Sequence, residues 1–126
     1  MRFVALSLLF AILLTIPAVN AKKIDGGKIS IQTIYNTVTQ GEKDWYCKYI
    51  KNPAFTLCLV WNNPSNSLTL TVYSPDGNWA TFTDSSDGSI DGKIVITIYD
   101  ATSGRWFFEV YGDKVNGKQP YSFTIT

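Results

Sequence analysis

From residue 28 onward, apolar and polar positions alternate in short runs separated by Gly, Pro, Asn, Asp and Ser. The alternation has a period of two in Leu68, Leu70 and Val72, in Ile94, Ile96 and Ile98, in Trp106, Phe108 and Val110, and in Tyr121, Phe123 and Ile125. A strand turns successive side chains to opposite faces, so each run buries one face and wets the other. The pattern predicts eight strands, spanning Lys28 to Tyr35, Asp44 to Ile50, Phe55 to Trp61, Leu68 to Tyr73, Asn78 to Phe82, Lys93 to Tyr99, Arg105 to Tyr111 and Tyr121 to Thr126. Between them lie turn-forming stretches such as Ser74-Pro75-Asp76-Gly77 and Asp84 to Gly92. No segment has the period of a helix of ordinary length. The expected fold is all-β: a two-layer antiparallel sandwich of about eight strands.

The first 21 residues read differently. Met1-Arg2 is followed by an apolar stretch from Phe3 to Ile16 and the small-residue site Val19-Asn20-Ala21, the pattern of a secretory signal peptide. The run is too short to span a bilayer, which needs about 20 residues. Residues 22–27 read as a flexible leader and residues 28–126 as a single β-sandwich domain. The expected location is therefore outside the cell or at its surface, with no membrane span in the mature chain.

Charge and composition narrow the function. The chain has 11 Lys and Arg against 10 Asp and Glu, and losing Arg2 with the signal peptide leaves no net charge. That argues against a nucleic-acid partner held through its phosphates. Histidine is absent, so triads that need an imidazole base and His-ligated zinc sites are excluded. Asn63-Pro64-Ser65 is not a glycosylation acceptor, because proline occupies its middle position.

Two cysteines entering an oxidising compartment imply a disulfide. If Ile50 and Phe55 flank a hairpin turn, Cys47 comes opposite Cys58, at a Cα separation of about 4.5–5.5 Å that a disulfide tolerates. In this register Trp45, Cys47, Tyr49, Cys58 and Val60 share the outer face, forming a stiffened platform. Lys48 falls on the inner side, so it must snorkel to an edge or mark a bend.

Four motifs in order carry a family likeness: Gln40-Gly41-Glu42-Lys43-Asp44-Trp45-Tyr46; Trp61 to Leu70 with Tyr73-Ser74-Pro75-Asp76-Gly77-Asn78; Asp84 to Gly92; and Gly104 to Gly112. With them, residues 28 to 126 resemble the bacterial and archaeal pre-peptidase C-terminal domain, most closely the stand-alone forms in secreted proteins of methanogens. The resemblance implies a jelly-roll-like β-sandwich, usually accessory to secreted proteases or surface proteins, with no catalysis of its own.

Three candidate chemistries remain. Asp84, Asp87 and Asp91 place three carboxylates in one Gly-containing loop, as a calcium site would, although Asp-Gly turn chemistry accounts for the same residues. No other cofactor is expected. Trp45, Tyr49, Trp79, Phe107 and Tyr111 run out of phase with the core, and exposed rings suit either a protein interface or the stacking of sugars. Asp44 and Glu109 form a weak candidate for a glycosidase pair. The expected role is a non-catalytic binding module for an extracellular protein, with a carbohydrate-binding module as the alternative and a small secreted hydrolase as a weaker one. The sequence does not fix the oligomeric state.

Overall fold

A computed structural model describes residues 21–23 and 32–126. The strands in chain order are β1 (Ala21–Lys23), β2 (Gln32–Thr39), β3 (Lys43–Ile50), β4 (Phe55–Val60), β5 (Ser67–Tyr73), β6 (Trp79–Phe82), β7 (Lys93–Ile98), β8 (Gly104–Lys114) and β9 (Lys118–Ile125). A 3₁₀ turn, Asp84–Asp87, lies between β6 and β7. One sheet has the order β1-β3-β8-β5-β6 and the other β2-β9-β4-β7. Every pairing is antiparallel except that of β1 with β3, which is parallel. Leaving β1 aside, the first, eighth, third and sixth strands make one layer and the second, seventh, fourth and fifth the other. That arrangement is a jelly roll.

The two inner faces make one core. Tyr46, Leu70, Val72, Phe108 and Val110 from the first sheet meet Phe55, Leu57, Ile96 and Phe123 from the second, all buried. Rings interlock across the interface, with Phe55 edge-on to Trp106 at 5.1 Å and Phe108 against Phe123 at 5.6 Å. A polar chain also joins the layers. The Tyr121 hydroxyl donates to the Asp44 carboxylate at 2.6 Å. Having spent its only proton there, it accepts from the Tyr46 hydroxyl at 2.5 Å, which in turn accepts from Asn36 Nδ2 at 3.0 Å. Burial, and then the bond to Asp44, push the Tyr121 hydroxyl far above the usual tyrosine range, so its proton stays in place.

The period-two reading of β5, β7, β8 and β9 matches the observed faces. Three strands differ by three or more residues at an end, and β8 runs on to Lys114 instead of ending at Tyr111. The strand expected from Lys28 to Tyr35 is described as Gln32–Thr39, with 28–31 outside the described residues, and the last strand begins at Lys118 instead of Tyr121. The signal-peptide reading lies outside the described residues except for Ala21, and the leader reading except for Lys22 and Lys23. Those three residues pair with Trp45, Tyr46 and Cys47 on the edge of β3.

The expected hairpin is corrected. β3 pairs with β8 and β1, and β4 with β7 and β9, so Ile50 and Phe55 flank a crossing between layers instead of a turn within one sheet. Cys47 and Cys58 are free thiols. Each points away from the core on its own sheet, and the sheets lie about 10 Å apart, beyond the Cα range of a disulfide. Non-reducing mass spectrometry of the folded protein should find both thiols unpaired, and replacing both by serine should leave the melting temperature free of the large drop that loss of a crosslink causes. An intact-mass deficit of two hydrogens would contradict this topology. Lys48 lies on the inner side of β3 as its phase implies, in register with Trp106, and at 1% exposure it does not snorkel to solvent.

Candidate functional site

Strand alternation decides which aromatics can meet a partner. On β3, Asp44, Tyr46, Lys48 and Ile50 share the inner phase, which turns Trp45, Cys47 and Tyr49 outward. On β8, Trp106, Phe108 and Val110 point inward and Phe107, Glu109 and Tyr111 outward. Register then sets the rows. Cys47, Phe107, Tyr73 and Trp79 lie side by side across β3, β8, β5 and β6, and Trp45, Glu109, Thr71 and Thr81 form the next row.

The outcome is an aromatic belt on the outer face of the five-stranded sheet. Trp45 and Tyr73 have ring centroids 5.6 Å apart with planes inclined by 35°, and Tyr73 and Trp79 are 6.4 Å apart at 32°. Trp79 and Tyr49 are the most open members, at 43% and 40% exposure. Glu109 is buried beneath the belt. Burial raises its carboxyl above the usual range, although Lys43, 3.7 Å away, pulls the other way. Burial, and then the charge of Glu109, push the Tyr73 hydroxyl up to about 12.

Of the residues singled out in the sequence, Trp45, Tyr49, Trp79, Phe107 and Tyr111 therefore share one face. Val60 does not, because it lies on the outer side of β4 in the other sheet. The expected platform of Trp45, Tyr49 and Val60 around a bridge is corrected for the same reason as the bridge. Tyr73 is the member that sequence reasoning missed. Its phase, opposite to Leu68, Leu70 and Val72, was the available signal. Asp44 and Glu109 point to opposite sides of their sheet, so they share no cleft.

The carboxylates of Asp84, Asp87 and Asp91 come within 4.8 Å of one another. Hydrogen bonds within the loop engage them. Buried Asp84 accepts the backbone N–H groups of Asp91 (3.1 Å), Gly92 (2.8 Å) and Lys93 (3.4 Å), Asp87 accepts those of Ser89 and Val95, and Asp91 accepts the Ser89 hydroxyl. The arrangement braces the connection from β6 to β7. The brace extends further, because the Gly92 carbonyl accepts the N–H groups of Trp61 (2.8 Å) and Asn62 (3.1 Å).

A groove of about 530 Å³ opens beside that brace. It forms where β9 and β4 part: they pair only as far as Ser122 opposite Val60, after which β9 continues with β2 alone. Gln119 ties its floor by donating to the carbonyls of Trp61 (3.0 Å) and Pro120 (2.8 Å). A smaller cavity of about 190 Å³ holds Asp76, Asp100 and Trp106. Asp76 accepts from the hydroxyls of Ser74 and Thr102. Its burial works against ionisation, but these and backbone hydrogen bonds outweigh it and hold the carboxyl below its ordinary value. Among the described residues no helix is long and apolar enough to cross a membrane.

No family model matches the chain. An uncharacterized protein of Archaeoglobus fulgidus is 53% identical over 74 residues, which cover 59% of this chain and 99% of that protein. Among solved structures, the pre-peptidase C-terminal domain of a Bacillus anthracis collagenase superposes with a TM-score of 0.64 at 17% identity, over 84% of this chain and 94% of its own. A mitogen derived from Yersinia pseudotuberculosis gives 0.53 at 17% identity, over 77% and 85% of the two chains. PliG of Aeromonas hydrophila, a periplasmic inhibitor of g-type lysozyme, gives 0.53 at 13% identity, over 85% and 96%. The fold implied by the sequence motifs is thus the fold observed: that of the pre-peptidase C-terminal domain.

Proposed function

We propose that this chain, which belongs to one family with the Archaeoglobus fulgidus protein, almost all of which it covers, is a secreted, non-catalytic binding module that meets an extracellular protein through the outer face of its five-stranded sheet. The observation that carries this reading is the belt of Trp45, Tyr73 and Trp79. Large rings on a flat sheet are held by the strands, so binding orders few side chains, and such rings supply the anchors on which interfaces depend. Lys43, at the start of β3, adds an exposed polar group beside the belt. That a domain of a collagenase and a periplasmic lysozyme inhibitor share this fold supports a role in contact with another protein. Secretion rests on the pattern of residues 1–21.

Titration of a partner captured from the envelope or culture medium tests the proposal. Trp45→Ala and Trp79→Ala should each weaken binding at least fivefold, about 1 kcal/mol. Unchanged affinity in both variants would remove the belt from the interface. A second reading rests on the shallow tilts between neighbouring rings, which also suit sugar stacking. Under that reading a soluble oligosaccharide competes with the captured partner for the belt.

A further inference from the structure

We propose that the groove between the diverging ends of β9 and β4, on the face opposite the belt, is a separate binding site for a neutral carbohydrate. Tyr35 stands on its rim at 80% exposure, in register with Ser122, which in turn pairs with Val60. A ring this open gains nothing from burial in the fold, but it offers a flat apolar face to the C–H side of a sugar. Around it converge Thr37, Asn62 and Ser122, whose side chains form no hydrogen bond with any described residue. Hydroxyl and amide groups both donate and accept, as sugar hydroxyls do.

The lining includes no Asp, Glu, Lys or Arg. The side chains that line the groove are thus uncharged donors and acceptors, which suit an uncharged polyol, with the exposed Lys93 standing outside the lining, opposite Val60 on β7. The groove volume falls within the roughly 300–1,000 Å³ of ligand sites. Its wall is also set in place: Asn62 holds φ +61°, a conformation that non-glycine residues rarely adopt, because its N–H is bonded to Gly92, which Asp84 braces in turn. The Asp84 loop thereby holds the backbone of Asn62 at the groove that this residue lines.

Affinity electrophoresis through gels carrying mannan, galactomannan or hydroxyethylcellulose, followed by titration with the matching hexasaccharide, tests this site. At least one polysaccharide should retard the protein, and raising the salt concentration should not reverse the effect. Tyr35→Ala should weaken hexasaccharide binding at least tenfold. Asn62→Gly, which removes the amide but keeps the left-handed backbone, should weaken it several-fold. Tyr99→Ala, which removes an exposed ring at the far end of β7, should have no effect. Retardation by none of the three polysaccharides would overturn the proposal, as would binding that survives Tyr35→Ala and Asn62→Gly. Loss of binding in Trp45→Ala and Trp79→Ala alone would assign the sugar to the belt and likewise refute the groove. The first two of these outcomes leave protein binding by the belt untouched.

Discussion

Phe108→Ala should destabilise the protein by about 3–5 kcal/mol, whereas Phe107→Ala, one residue away, should cost only about 1–2 kcal/mol. Phe108 is fully buried between the sheets, touching Phe123 at 5.6 Å and Phe55 at 6.4 Å between ring centroids. Neither neighbouring ring can collapse into the vacated space without leaving the other, so most of the cavity should persist. Phe107 faces outward in the row of Cys47 and Tyr73 and keeps part of its surface in solvent. Urea melts of both variants measure the difference. Equal losses would mean that β8 is covered on both faces, which would leave no accessible belt.

Gly92→Ala should cost about 2–4 kcal/mol, more than the same change at any other described loop glycine. Gly92 has φ +76°, and an added Cβ would sit 2.9 Å from the backbone nitrogens of both Asn62 and Asn63. Backbone atoms cannot swing aside as a side chain can, so the segment after β4 or the Asp84 loop must shift. Gly88, also at positive φ, has open space around its would-be Cβ, and Gly88→Ala isolates the conformational part of the cost. The same melts, run in millimolar calcium and in EDTA, separate a hydrogen-bonded brace from a cation site. Equal midpoints support the brace, and a clear rise with calcium would make Asp84, Asp87 and Asp91 ligands. Loss of saccharide binding in Gly92→Ala, with the fold retained, would tie the brace to the groove.

The belt and the groove were legible to different degrees. The outward phase of Trp45, Tyr49, Trp79, Phe107 and Tyr111 is local information, since alternation turns on each residue's own neighbours in the chain, and the structure places all five on one face. The groove was not legible, because Tyr35, Thr37, Asn62 and Ser122 come from separate segments and meet only where β9 and β4 diverge. Tyr35 offered one signal, its phase opposite to Ile34, but nothing in the chain says which strand will stand beside it.

The sequence by itself determined eight of the nine described strands to within a few residues, the side of each that is buried and, through four ordered motifs, the sandwich class. Only the tertiary structure decided which strands are neighbours. The error over Cys47 and Cys58 shows why. Their strands are consecutive and a hairpin register fits both, yet in a jelly roll the chain changes layer between β3 and β4, and the two thiols end on opposite sides of the molecule. Alternation is satisfied equally by either neighbour. The choice depends on how ten or more distant side chains fill one core, with Phe55 against Trp106 and Phe108 against Phe123, and that packing energy belongs to no single stretch of sequence.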